Sequence, residues 1–166
     1  MAETIEEYKA RILKTLGGRK PLEVQAETPV RLEKLIAGAK PAKLAHKPSP
    51  EKWSVNEVIA HLADAELVVA YRIRTILGAP GGPIAAYDQD KWAEAGNYVA
   101  SDARESLETF KALRKSNLRL MNSLRPDQWK QFGIHSERGE ESVERVAEMM
   151  GGHDLNHLKQ IEALLA

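Results

Sequence analysis

The residues best suited to chemistry are three histidines. His153 and His157 stand four apart in "GGHDLNHLKQIEALL", one above the other on a helix face. Val143, Val146, Met150, Ile161 and Leu164 recur around them at steps of three and four, so that face is the buried one. His61, in "KWSVNEVIAHLADAE", follows Val58 by three and precedes Ala65 by four, on the apolar side of its own helix or at its border. Long helices of a bundle lie side by side, so one imidazole from one helix and two from another can meet in the core. Three neutral imidazoles suit zinc, nickel or a similar divalent ion. Three protein ligands leave the open position a catalytic metal requires, whereas a closed structural site normally uses four. The competing account is that H-x-x-x-H arises by chance and a core histidine is simply hydrogen-bonded. Two on one stripe weigh against it, because a buried ring nitrogen without a partner costs about 1–3 kcal/mol. The pattern alone leaves both accounts open.

Those histidines need elements to position them, and the chain has the means. Its 166 residues fit one domain, residues 1–166, with a real core. The 24 basic residues balance 24 acidic ones, so no basic patch points to a nucleic-acid or membrane-surface partner. There is no cysteine. That excludes disulfides and thiolate ligands, and any thiol nucleophile must come from outside the chain. The N-terminus lacks the apolar core of a signal peptide. No run of about 18 apolar residues exists to span a membrane. A cytoplasmic location is the expectation.

Helical periodicity runs almost throughout. Ile5, Tyr8, Ile12 and Leu16 mark a short first helix stopped by Gly17-Gly18. Thr28 as N-cap and Pro29 at the first helical position open a second piece that ends near Gly38. A third helix follows the capping box Ser54/Glu57, flanked by the staple pair Trp53 and Val58, and runs to about Leu77. A fourth spans about Asp102 to Leu124 and the last about Ser142 to Leu165. A short hairpin is possible around "KQFGIHSERGEES". Residues 78–100 form a connection too long to be idle; it suits a crossover that lets neighbouring helices run parallel, or a cover over a site. The predicted fold is all-α, a four-helix bundle with a long crossover connection and an extra N-terminal helix packed across it.

The sequence resembles the DinB-like superfamily of damage-inducible, metal-binding four-helix bundles, from about Thr28 to the C-terminus. Trp53, Ser54, Glu57, His61, Leu62 and Asp64 match one family motif; His153, His157, Gln160 and Ile161 match the other. The resemblance implies an up-down-down-up bundle, a homodimer, and a divalent metal ion, zinc or nickel, held by His61, His153 and His157. It also implies a small-molecule substrate. Characterised members include S-transferases that use a low-molecular-weight thiol such as bacillithiol, mycothiol or glutathione, so the family implies a transferase. A metal-dependent hydrolase and a non-catalytic metal-binding stress-response protein are the alternatives.

Other polar residues carry two readings each. Asp64, one turn beyond His61, can orient it or hold a metal-associated water, or pair with a basic residue. Asp154 points about 100° away from His153, toward solvent or an ion pair. Gln160 can bond a ligand imidazole or another helix. Asn117 interrupts the apolar stripe of the fourth helix and suits a core hydrogen bond. Asp88 suits the cap of a short helix through Trp92; if the connection covers the metal, Tyr87, Asp90 or Trp92 lines the pocket. His46 is expected in an exposed loop with no role. His135, in a Gly-flanked loop, is expected at the surface, a place near a site being the alternative.

Overall fold

The computed structural model describes residues 3–166. Helices α1 (Ile5–Leu16), α2 (Pro21–Ile36) and α3 (Pro41–Leu44) precede the long α4 (Val55–Gly78). Strand β1 (Pro83–Ile84), α5 (Gln89–Ala95) and a 3-10 turn at Tyr98–Ala100 make up the crossover to α6 (Ala103–Asn122). A four-residue α7 (Pro126–Trp129), the strands β2 (Phe132–His135) and β3 (Gly139–Ser142), and α8 (Val143–Leu165) complete the chain.

Helices α2, α4, α6 and α8 form the bundle, and two apolar clusters give their directions. One cluster joins Leu32 and Ile36 at the end of α2, Val55 to Ala63 at the start of α4, Ala103 to Phe110 at the start of α6, and Leu155 to Ile161 late in α8. The other joins the far half of α4 (Val69, Ile73, Ile76), Met121 late in α6 and Val143 to Met150 at the start of α8, with Leu22 of α2 packed beside it. Thus α4 and α6 run together, antiparallel to α2 and α8: up, down, down, up. The parallel α4–α6 pair is what requires the long crossover. Helix α1 packs on α8.

The caps are where the sequence put them. Ser54 accepts from the Glu57 N–H while Glu57 returns to the Ser54 N–H, Asp102 caps α6 and Ser142 caps α8. The start of α2 differs. It begins at Pro21, not at Thr28, and Pro29 lies inside it. Pro29 has no N–H for the carbonyl of Gln25, four residues back. That carbonyl instead accepts from Arg114 Nη1 at 2.7 Å, and Thr28 Oγ1 donates back to the Val24 carbonyl at 2.8 Å. A mid-helix proline is tolerated here because a buried arginine takes up the freed acceptor.

The crossover is ordered by a small sheet. Strands β2 and β3 pair antiparallel, Phe132 opposite Ser142, and β1 joins β2 in parallel. Gly133 is needed at that junction, since a Cβ there would come 2.6 Å from the Ile84 side chain. Asp88 caps α5 by accepting from the Asp90 and Lys91 N–H groups. No helix among the described residues is long and apolar enough to cross a membrane.

Candidate metal centre

The three histidines converge. His61 Nε2 lies 3.0 Å from His153 Nε2, and His157 Nε2 lies 3.1 Å from the same atom. His61 comes from α4, His153 and His157 from α8. Both His61 and His153 are buried, and His157 is half-buried. Burial pushes His61 down to about 3, with His157 adding to the effect. Burial likewise brings His157 to about 4, against the upward pull of Gln160, and drives His153 well below its ordinary value. All three are neutral at pH 7, as metal ligands must be.

The donor set fits a divalent ion. His157 donates Nδ1–H to Gln160 Oε1 at 2.8 Å, which fixes its tautomer and aims a bare Nε2 lone pair at the centre. His153 Nε2 faces that lone pair and His61 Nε2 together. A single proton there would have to be shared between two acceptors, whereas one ion satisfies all three nitrogens. Bonds of about 2.0–2.2 Å to a shared ion set such nitrogens about 3 Å apart. The Nδ1 atoms of His61 and His153 are buried without a protein partner.

Local packing aims these rings. Trp53 lies against His61, ring centroids 5.1 Å apart. Asp154 turns away from the centre, as its position predicts, but into the core and not into solvent: it is fully buried and bonds Arg114 at 2.6 and 3.0 Å. Arg114 also holds Glu66 at 2.8 Å and lies over the Phe110 ring. Through Gln25, Glu66 and Asp154, this α6 residue ties α2, α4 and α8 together. Burial opposes its charge, but Asp154 and Glu66 more than offset that and raise its pKa. Burial raises that of Asp154, with Arg114 opposing. Asn117 donates to Glu66 Oε2 at 2.9 Å, the core hydrogen bond expected of it. Since Asp154 adjoins His153, this network fixes the rotation of α8 that points His153 inward.

The "GG" before His153 also has a packing reason. A Cβ on Gly152 would stand 2.2 Å from the Ile12 carbonyl oxygen, and one on Gly151 3.2 Å from Pro21 Cα. The pair is where the backbones of α1 and α2 press against α8. We expect Gly152→Ala to displace α1 and lower stability by about 1–3 kcal/mol, the usual range for overpacking. A melting curve within 1 °C of wild type would remove this reading of the glycine pair.

A cavity of about 200 Å³ opens beside the centre, with His153 among its lining residues. Ala65, Val69, Val146, Met149 and Met150 give it an apolar wall, while Tyr8, Arg72, Tyr87 and His135 give it polar groups.

Residues 26–161 match the sequence profile of the DinB superfamily. The chain belongs to that superfamily. Among its relatives, "Putative metal-dependent hydrolase OB0782" of Oceanobacillus iheyensis is 30% identical over 112 residues, 68% of this chain and 64% of the relative. A second protein of that organism is similar at 28% identity, over 69% of this chain and 65% of its own length. The chain thus spans a little under two thirds of the first relatives it matches. YfiT of Bacillus subtilis, named in the same way, is 25% identical over 96% of this chain and 91% of its own. The solved structure of YfiT, described as "a probable metal-dependent hydrolase with an unusual four-helix bundle topology", superposes with a TM-score of 0.81. It covers 98% of this chain and 88% of that one at 21% identity.

Within this DinB-superfamily bundle, several residues stand elsewhere than the sequence predicts. Asp64 neither orients His61 nor meets a basic residue; it accepts from the Tyr98 hydroxyl, and burial together with Asp64 raises the Tyr98 pKa. Of the three crossover candidates, Tyr87 lines the cavity, but Asp90 and Trp92 are exposed and do not. His46 is exposed, as expected. His135 is the clear correction: it is buried, because it sits in β2 facing Arg72 of α4 at 3.0 Å and not in an open loop. Arg72 and Arg114 have no role in the sequence reading, and both are buried. A signal existed for both, since Arg72 continues the stripe His61, Ala65, Val69 and Arg114 continues Leu107, Phe110.

Proposed function

We propose that this chain is a divalent-metal-dependent hydrolase acting on a small molecule, with His61, His153 and His157 as the metal ligands. The convergence of three neutral Nε2 atoms beside a partly apolar cavity carries the proposal, and the names of the relatives support it. A divalent ion there supplies Lewis acidity, which polarises a carbonyl and lowers the pKa of a water or thiol that meets it. The chain's own groups do the rest. Gln160 holds His157 in the ligating tautomer, Trp53 and the Arg114 network hold His61 and His153 in place, and the wall of Val69, Val146, Met149 and Met150 limits water.

Transfer of a low-molecular-weight thiol is the second reading. Its support is the absence of cysteine, which leaves the centre free for an external thiol. The cavity, about 200 Å³, falls below the about 300–1,000 Å³ that encloses drug-sized ligands, and glutathione-sized thiols would protrude from it. Water and a compact substrate fit better.

One experiment separates the two. Metal-loaded protein should cleave members of a panel of small amides and esters, lose that activity to a chelator, and regain it with metal. In cobalt-loaded protein, bacillithiol, mycothiol and glutathione should leave the spectrum unchanged. No cleavage, together with a sulfur-to-cobalt charge-transfer band and consumption of thiol by an added electrophile, would replace hydrolysis by thiol transfer.

A further inference from the structure

The cavity holds two donors with no acceptor between them. The Glu137 N–H donates to His135 Nδ1 at 3.2 Å, so that nitrogen is the acceptor of the ring. A neutral imidazole has one acceptor and one N–H; with Nδ1 taken by the Glu137 N–H, the proton is assigned to Nε2. Burial, with Arg138 and Arg72 reinforcing it, brings the His135 pKa to about 4, so the ring is neutral. Its Nε2–H therefore points at Arg72 Nη2, 3.0 Å away, and Nη2 is a donor too. Two N–H groups this close cannot bond one another; they can share an acceptor.

Arg72 needs one. Its residue is only 8% exposed, its Nε has no partner, and its protein acceptor is the Ala85 carbonyl at a long 3.3 Å. No carboxylate pairs with it among the described residues. Arg138, the other arginine of the cavity, is already held by Glu141 at 3.0 Å. Tyr87 lies beneath the Arg72 guanidinium, ring centroid 5.8 Å away. The crossover and the hairpin thus hold a buried cation without a salt bridge, with Glu141 acting on it only at longer range, in a cavity that also reaches His153.

We infer that Arg72 and His135 form a subsite for a substrate carboxylate, so that the compound acted on is a small organic acid whose labile bond lies apart from its carboxylate. One carboxylate offers an acceptor to each donor and gives Arg72 the ion-pair partner it lacks. A phosphate dianion would add more negative charge beside Glu137 and Glu141, which line the same cavity. Arg72 and His135 line the same cavity as the metal ligand His153, and they are other residues than the three that would hold the ion, so the carboxylate and the labile bond sit at different parts of one compact compound. The second half of the inference rests on the hydrolase proposal. In that reaction water adds across the acyl–nitrogen or acyl–oxygen bond; the acyl carbon gains hydroxyl and the leaving amine or alcohol gains the proton. The carboxylate anchor takes no part in bond making.

The anchor is tested by binding alone. Butyrate is titrated into full-length protein, as purified and after chelator treatment, and followed by the side-chain NMR signals of His135 and Tyr87. We expect saturable shifts in both preparations, with affinity reduced at least tenfold in Arg72→Gln and weakened in His135→Asn, each variant first shown to fold by circular dichroism. Butyrate binding equal to wild type in both variants overturns the subsite, as does no shift at 50 mM. Phosphate binding more tightly than butyrate replaces the carboxylate by a phosphate. Because the chelated protein is used, loss of this subsite leaves metal-dependent hydrolysis standing, and loss of hydrolysis leaves the anion site standing.

Discussion

His61→Ala will lower divalent-metal affinity by more than 100-fold, while His46→Ala will bind as wild type. Residues that merely support a metal ligand are worth about 10–100-fold, and His61 Nε2 is itself part of the donor set, 3.0 Å from His153 Nε2 and within 4.8 Å of the His157 donor. His46 is exposed, remote from the α4–α8 seam. The effect is readable without catalysis. An ion that binds only the folded chain stabilises it by about 2.7 kcal/mol at 100 times its Kd. At about 2–4 °C per kcal/mol for a chain of this size, wild type melts about 5–10 °C higher with metal than with chelator. His61→Ala at the same metal concentration should show no rise. An equal rise in both variants would end the three-histidine assignment.

Arg114→Met will destabilise the bundle more than any surface change, and the loss will be recoverable. Arg114 lies wholly inside, between Glu66 and Asp154, with side chains 1% and 0% exposed. Removing one partner of a buried ion pair costs about 3–5 kcal/mol, because it strands the other charge. That corresponds to about 6–20 °C in melting temperature. Two carboxylates are stranded here, and the Gln25 carbonyl freed by Pro29 loses its donor. Adding Glu66→Gln and Asp154→Asn to Arg114→Met removes the stranded charges, so the triple variant should recover at least half of the loss. If the three costs simply add, Arg114 is a packing residue and its charge network does not hold the four helices in register.

Much of this was written along the chain. Local rules suffice for a helix start: Ser54 with Glu57, Asp102 and Ser142 all cap the helices they precede, because a cap bonds backbone only two or three residues away. The i, i+4 spacing alone puts His153 and His157 on one face, and the motifs around His61 and His153 link the two helices to one family from sequence alone. Other features depend on partners far along the chain, which spacing does not report. Pro29 read as a helix start, since the arginine that accepts its consequence stands on another helix, 85 residues later. His135 read as a loop residue because its burial depends on β1 pairing with β2 and on Arg72 across from it. Arg72 and Arg114 are polar residues on apolar stripes, and only tertiary contact separates them: Arg114 meets two carboxylates, whereas Arg72 meets another donor. A lone charge in a stripe reads the same in both cases; what it faces is decided by how α4, α6, α8 and the crossover pack.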